Sequence, residues 1–454
     1  MWNDKEQELK DFSAVDLPEE KTAEVRAVRT RGRFPWLSGF ANSIFQSSGE
    51  ICGDSNWTEA AANGTVPFVG NSVQHWEFFE SDIQLIAKSG ANTYRFSLEW
   101  SHIEPAQGYY DSEILERYKS MFAICKKHGL EPMATLFHFN EPLWFTRLGG
   151  FEQEANIDFF LKFAETVFQA FSSDVSLWCT INEPAVQAFS GYLYGQFPPH
   201  RHNLQMTVDV LTNLLCAHVS VYHRLKQMKG GREAMIGLVH NPIKFIPRYW
   251  WEPIELILSK FLTTITNTLV MTFLKTGEIH YRINFLARKD YEDYSAPSAF
   301  DFIGLNFYAN PVIGFNATNF FGPTCFFGQE MGDMYLPMDP DGFASAIDEC
   351  AGLGKPVYVT EMGFADRDDE LRQKFLRAYL DVIDQKIHSG VDIRGLYYWT
   401  FMDNYEWNEG YTKLFGLFDG ARQQRKSALI YEEFMQKQRE READVSESER
   451  SFGM

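Results

Sequence analysis

Two hydrophobic rhythms alternate along the chain. Short apolar runs, each five to nine residues long, predict buried strands at Leu37–Phe45, Ala91–Ser97, Glu131–Phe137, Ser176–Ile181, Ala234–Val239, Phe300–Asn306, Pro356–Thr360 and Ile393–Thr400. Longer segments between them repeat apolar residues every three or four positions and predict helices, among them Glu77–Lys88, Ser112–Lys127, Asn156–Phe171, Met206–Met228 and Asp368–Ile387. Gly90, Gly129 and Gly390 stand just past three of these, where a left-handed cap is wanted. Eight strands, each followed by a helical segment, make the pattern of one α/β domain, a (β/α)₈ TIM barrel over 31–435. Residues 1–30 read as a charged arm and 436–454, rich in Glu, Arg and Ser, as a solvated tail.

One apolar stretch raises a different possibility. Phe261 to Leu274 carries no charge, but it is shorter than the ~20 residues of a membrane span and threonines interrupt it. Ile254, Leu258, Phe261, Ile265, Leu269 and Phe273 repeat at helical spacing, so a packing helix is expected.

A TIM barrel carries its active site at the C-terminal ends of its strands. The residues there are Gln46, Arg95, His138, Glu183, Asn241, Asn306 with Tyr308, Glu361, and Trp399. Glu183 and Glu361 stand out because each follows a buried run directly, where a carboxylate costs desolvation energy. Two carboxylates on different strands suggest a pair acting on one bond, and glycoside hydrolysis needs such a pair. Composition alone leaves a competitor, because Asn140-Glu141-Pro142 duplicates Asn182-Glu183-Pro184. Gly354-Lys355 lacks the rest of a phosphate loop, and His200-x-His202 has no carboxylate or Cys partner at a familiar metal-site spacing.

Charge narrows the partners. The formal net charge of −19 argues against nucleic acid and disfavours an anionic membrane or a strongly anionic substrate. The 6 cysteines form no Cys-x-x-Cys pair and several sit in apolar runs, so reduced thiols and a cytoplasmic setting are expected. The polar, acidic start shows no apolar signal segment, and the Asn-x-Thr triplets at Asn56, Asn63 and Asn316 are read as accidental.

Two segments enclose the carboxylates, Thr180-Ile181-Asn182-Glu183-Pro184 and Val359-Thr360-Glu361-Met362-Gly363. With them, from about Phe34 to Tyr431, the chain resembles the family 1 glycoside hydrolases, the β-glucosidase family, the first segment matching the acid/base motif and the second the nucleophile motif. Tyr94-Arg95-Phe96-Ser97, Asp301 through Tyr308, and Trp399 through Trp407 follow other family segments in the right order. The resemblance implies a retaining β-glycosidase with Glu183 as acid/base and Glu361 as nucleophile. It implies that Arg95 and Tyr308 orient Glu361, and that Gln46, His138, Asn182, Trp399, Glu406 and Trp407 bind a terminal sugar. It makes Glu141 only a neighbour of the sugar-binding His138. No cofactor or metal is implied, and the expected partner is a small β-glycoside. Ser48, Met362 and Leu414 depart from the family pattern. Glu406 should accept hydrogens from sugar hydroxyls and repel a 6-phosphate, so an unphosphorylated hexoside is expected. A transglycosylase on the same machinery and a catalytically silent sugar-binding protein are the alternatives.

Overall fold

The computed structural model describes residues 35–314, 322–324 and 328–452. The arm expected over 1–30 lies outside them, as do Phe315, Phe320, Phe321, Phe326 and Phe327 of the long loop after residue 308.

Eight parallel strands close into a barrel. Numbered in chain order with the other strands, they are β1 (Leu37–Asn42), β2 (Thr93–Ser97), β3 (Glu131–Phe137), β4 (Leu177–Asn182), β5 (Met235–His240), β9 (Phe302–Phe307), β12 (Val357–Met362) and β13 (Ile393–Trp399). Each pairs with the next in sequence around the wall, and β13 pairs with β1 to complete the circle. β6 (Ile246–Pro247), β10 (Val312–Gly314) and β11 (Gly322–Thr324) form a small sheet, while β7 (Glu278–Ile283) and β8 (Ala287–Glu292) form a hairpin. The tight wall depends on small residues. A Cβ at Gly39 would stand 1.9 Å from the Thr93 carbonyl oxygen, so only glycine lets β1 approach β2 there.

Apolar stripes seat the helices on this barrel. In Ile157–Phe171 the buried residues Phe160, Phe163, Ala164, Val167, Phe168 and Phe171 share one face, and Phe168 meets Trp178 of β4 with ring centroids 5.0 Å apart. Burying each phenylalanine is worth about 1.5–3 kcal/mol, so the stripe fixes the helix against the strand. Asp111 caps Ser112–Lys127 by accepting from the Glu113 and Ile114 amides, and Asn203 caps Leu204–Gln227.

Three expectations change. The first apolar run stops being a strand at Asn42, because the Ser43 side chain accepts from the Gln46 amide and starts a short helix, Ile44–Ser48. The packing helix packs except at its start. Of the expected stripe, Ile265, Leu269 and Phe273 are buried, Phe261 packs against the core and Leu258 is half-buried; only Ile254 is exposed, as are Leu256 and Ile257 outside the stripe. The expected tail is helical, within Lys426–Phe452. Gln438 is buried, and Lys437, Gln438 and Arg441 all bond the Asp384 carboxylate, which holds this part of the helix to Glu370–His388.

Two irregularities in strand pairing prepare the site. Between β4 and β5 the register runs from Cys179↔Gly237 to Asn182↔Val239, so one strand has an extra residue. Between β12 and β9 it runs from Val359↔Leu305 to Glu361↔Asn306. A bulge turns a side chain off its ordinary alternation. On β12 it lets consecutive residues face the same interior, where Thr360 bonds Asn306 and Glu361 bonds Arg95.

Candidate active site

Glu361 is buried and has a strong donor on each oxygen. The Arg95 guanidinium donates to Oε1 at 2.6 Å, and the Tyr308 hydroxyl donates to Oε2 at 2.6 Å. Arg95 comes from the middle of β2, not from its end as the sequence suggested. Its remaining donors reach the Asn182 side-chain oxygen at 2.6 Å, Thr135 Oγ1 at 3.1 Å and the Thr360 carbonyl at 3.2 Å. The guanidinium is thereby fully held, and the Glu361 charge beside it pushes its pKa up despite burial. Burial and the Glu361 charge also raise the Tyr308 phenol well above its usual range, keeping it a donor.

Glu183 is held differently. Its Oε1 accepts from the Asn306 amide at 2.7 Å, and Asn241 also bonds its carboxyl. No cation bonds it. Burial first, and the nearby Glu361 charge second, push its pKa up to about 8. The backbone is left-handed at Glu183, φ 47° and ψ 63°, and Pro184 opens the next helical turn. Asn306 ties the two carboxylates together. Its amide also reaches Asn182 Oδ1 at 3.2 Å, and its own oxygen accepts from Thr360 Oγ1 at 2.8 Å. One hydrogen-bonded chain therefore runs from Glu183 through Asn306 and Asn182 to Arg95 and Glu361.

The remaining predicted groups surround this chain. Asn182 Nδ2 lies 3.3 Å from His138 Nε2, and the His138 ring stacks between Trp399 and Trp407, with centroids 5.7 and 6.0 Å away. Burial, with the Arg95 charge second, holds His138 well below its usual range, so the ring is neutral. Gln46 Nε2 donates to the Tyr405 carbonyl at 2.7 Å and lies 3.4 Å from Glu406 Oε2. Burial raises Glu406 to about 8, against bonds from Trp399 and Gln46 that lower it. Gln46 Oε1, His138 Nδ1 and Asn404 Nδ2 are buried without a hydrogen-bond partner among the described residues. Buried polar atoms of this kind normally find a partner, and a polyhydroxylated ligand could supply it.

Glu141 stands apart. Its carboxylate accepts from Thr146 at 2.8 Å, and its backbone pairs with Asn56. Burial raises its pKa to about 7, so the shift alone would not separate it from Glu183; the partners do. The three departures are equally clear. Ser48 Oγ accepts from the Trp76 amide at 3.1 Å, Met362 faces the core, and Leu414 acts through its carbonyl, which accepts from the Arg372 guanidinium. Asn306 and Asn241 were visible as strand-end polar residues, but nothing in the sequence indicated that they bond Glu183. Asn404 went unnoticed. Among the described residues no cluster of His, Cys, Asp and Glu could hold a metal.

The model for glycosyl hydrolase family 1 matches residues 59–440. The chain belongs to glycosyl hydrolase family 1. Other members of the family are of more than one kind. A 1,4-beta-D-glucan glucohydrolase of Thermotoga neapolitana is 28% identical, over 76% of this chain and 85% of its own length. A 6-phospho-beta-galactosidase of Clostridium acetobutylicum is also 28% identical, over 84% and 91%. Among solved family structures, the beta-glycosidase from Pyrococcus horikoshii superposes with a TM-score of 0.79 at 31% identity, covering 89% of this chain and 95% of that one. Family membership makes this protein a glycoside hydrolase.

Proposed function

We propose that the protein is a β-glucosidase-type retaining glycosidase acting on unphosphorylated β-glycosides, with Glu361 as nucleophile and Glu183 as acid/base. The observation that carries the assignment is the contrast between the two carboxyl environments. Arg95 and Tyr308 both donate to Glu361, one to each carboxylate oxygen, which anchors and aims that carboxylate, while Glu183 has amide donors alone and a raised pKa. Protonated Glu183 donates to the glycosidic oxygen as Glu361 attacks the anomeric carbon. The leaving alcohol departs and a glycosyl-enzyme ester remains. Glu183, now ionised, takes a proton from water as that water attacks the same carbon, releasing sugar of retained configuration and restoring both groups. Gln46, His138, Asn182 and Glu406 bind hydroxyls, and Trp399 and Trp407 supply ring faces. Both carboxylates with their donors in place disfavour the silent sugar-binding reading.

The comparisons include glucosidases and a phospho-galactosidase at the same identity, so the choice between them rests on local chemistry. A phosphate needs a cation. Between residues 400 and 418 the one cation is Lys413, and its ammonium lies 3.6 Å from Glu409 and 2.7 Å from the Asp333 carbonyl. A nitrophenyl β-glucoside should be hydrolysed and its 6-phosphate should not; comparable turnover of both would overturn the preference. A cytoplasmic setting is part of the proposal, supported by the free thiols of Cys52, Cys125, Cys179, Cys216 and Cys350.

A further inference from the structure

The helix Pro253–Thr263 is built inside out. Its inward positions are polar: Glu255 is 1% exposed, with its carboxylate accepting from the Tyr249 amide, and Ser259 is 4% exposed. Its outward positions are apolar. Ile254, Leu256 and Ile257 are exposed, Ile257 by 70%, and Trp250, 75% exposed, and Trp251 extend the surface from the preceding turn. An ordinary surface helix has the opposite arrangement, and a contiguous exposed apolar surface marks an interaction site. The adjoining hairpin repeats the feature. Phe285 at its tip is 93% exposed, beside exposed Leu286, and the exposed Arg282 and Arg288 flank the pair.

Topology puts both features on the catalytic side of the barrel. The turn before the helix contains β6, which pairs with β10 just beyond Tyr308. The hairpin tip is pinned to the first turn of Leu204–Gln227, where Gln205 exchanges bonds of 3.0 and 2.7 Å with the Arg288 backbone. That helix begins on the side where β4 ends.

We infer that this surface docks the protein on a lipid–water interface, with the active-site mouth facing the headgroups. Tryptophan and tyrosine with basic neighbours are the side chains that settle at such an interface. Here Arg248 lies over the Tyr249 ring at 5.3 Å, and Lys260 ends the exposed stretch. The whole-chain charge of −19 disfavours an anionic surface, but the local balance is reversed. Within the exposed stretch itself, residues 248–260, the exposed Arg248 and Lys260 outnumber Glu252, because Glu255 is buried. Neutral or anionic headgroups complement Arg248 and Lys260, and the neighbouring tryptophans suit the same layer. The continuous helical stretch Pro253–Thr276 is long and apolar enough to cross a membrane. It does not do so in the folded barrel, because Ile265, Val270, Phe273 and Leu274 are core residues and Asn267 bonds His240 and Glu349. Only its first half, Pro253–Thr263, is free to rest at an interface. Resting on the glycosidase reading above, this docking makes a bilayer-resident β-glycoside with a lipid aglycone the favoured substrate class.

The test uses the full chain with vesicles of phosphatidylcholine, and of phosphatidylcholine mixed with phosphatidylglycerol. The protein should co-sediment with vesicles, and Trp250→Ser combined with Ile257→Ser should weaken that binding by about tenfold or more. Phe285→Ser, on the separate hairpin, should weaken it too and decides the matter if the double variant misfolds. Turnover of octadecyl β-glucoside held in the vesicles should fall in parallel, while kcat/KM on soluble nitrophenyl β-glucoside stays unchanged. A chain that remains in the supernatant with both vesicle types overturns the proposal. So does a solution dimer that the double variant converts to monomer without vesicle binding. Vesicle binding by a chain that hydrolyses neither glucoside would support the docking and remove the glycosidase reading.

Discussion

Glu183 and Glu141 share a sequence context, deep burial and a raised pKa, yet only one belongs to the hydrogen-bonded chain that reaches Glu361. Sequence motifs identified the two carboxylates, Arg95 and Tyr308 because the family's spacing is specific. The bond from Asn306 to Glu183 was not legible, since it depends on how β9 meets β4 across the barrel. Glu183→Gln should lower kcat by about 10²–10⁴-fold, the ordinary contribution of general acid–base catalysis, while Glu141→Gln should leave it within about twofold because Glu141 touches no reacting group. Steady-state kinetics on an activated and an unactivated β-glucoside would measure both. The raised pKa has a sign. Loss of the Glu183 proton should set the alkaline limb of kcat/KM near pH 8 in the free enzyme. A carboxyl that keeps its proton only when folded lowers stability as pH climbs from the unfolded value of about 4.3 to the folded one. Glu183→Gln removes that loss, so its stability relative to the parent should rise between pH 5 and pH 8, roughly the window set by those two values. Denaturant titrations across that window measure it, and a flat difference would contradict the assignment. Arg95→Met should destabilise the fold by about 3–5 kcal/mol, because it leaves the buried Glu361 without its cation.

At the scale of elements, apolar periodicity located all eight barrel strands, since a buried parallel strand is a continuous apolar run. It missed two things for physical reasons. Ser43 resembles any polar interruption until its side chain is seen capping Ile44–Ser48, which moves Gln46 from a strand end to a helix. The bulges on β4 and β12 are also invisible, because a run of apolar residues does not show where its alternation slips. Periodicity can also mislead about direction. The stripe from Ile254 to Phe273 is continuous in sequence, but its first residue is exposed, while Ile265, Leu269 and Phe273 are in the core. Gly39 shows how little tolerance the wall has. In Gly39→Ala the new Cβ would overlap the Thr93 carbonyl, and chemical denaturation should show a loss of about 3 kcal/mol or more with the β1–β2 pairing strained.

At the scale of the molecule, strand count and order were enough to predict a closed barrel, because a right-handed strand–helix repeat leaves few other closures. Net charge was less informative than it looked: the average of −19 says nothing of the exposed aromatic stretch around Trp250, where Arg248 and Lys260 stand against Glu252. The barrel brings together Arg95 from β2, His138 after β3, Glu183 after β4, Asn306 from β9, Glu361 from β12 and Trp399 from β13, so the site exists only in the closed fold. In the proposed mechanism Glu361 attacks the sugar and Glu183 moves the proton. Azide rescue of glycine variants tests this most directly. Glu361→Gly with azide should give the glycosyl azide of inverted configuration, and Glu183→Gly with azide the retained one. Rescue of Glu141→Gly, or the opposite stereochemistry at the two positions, would contradict the account.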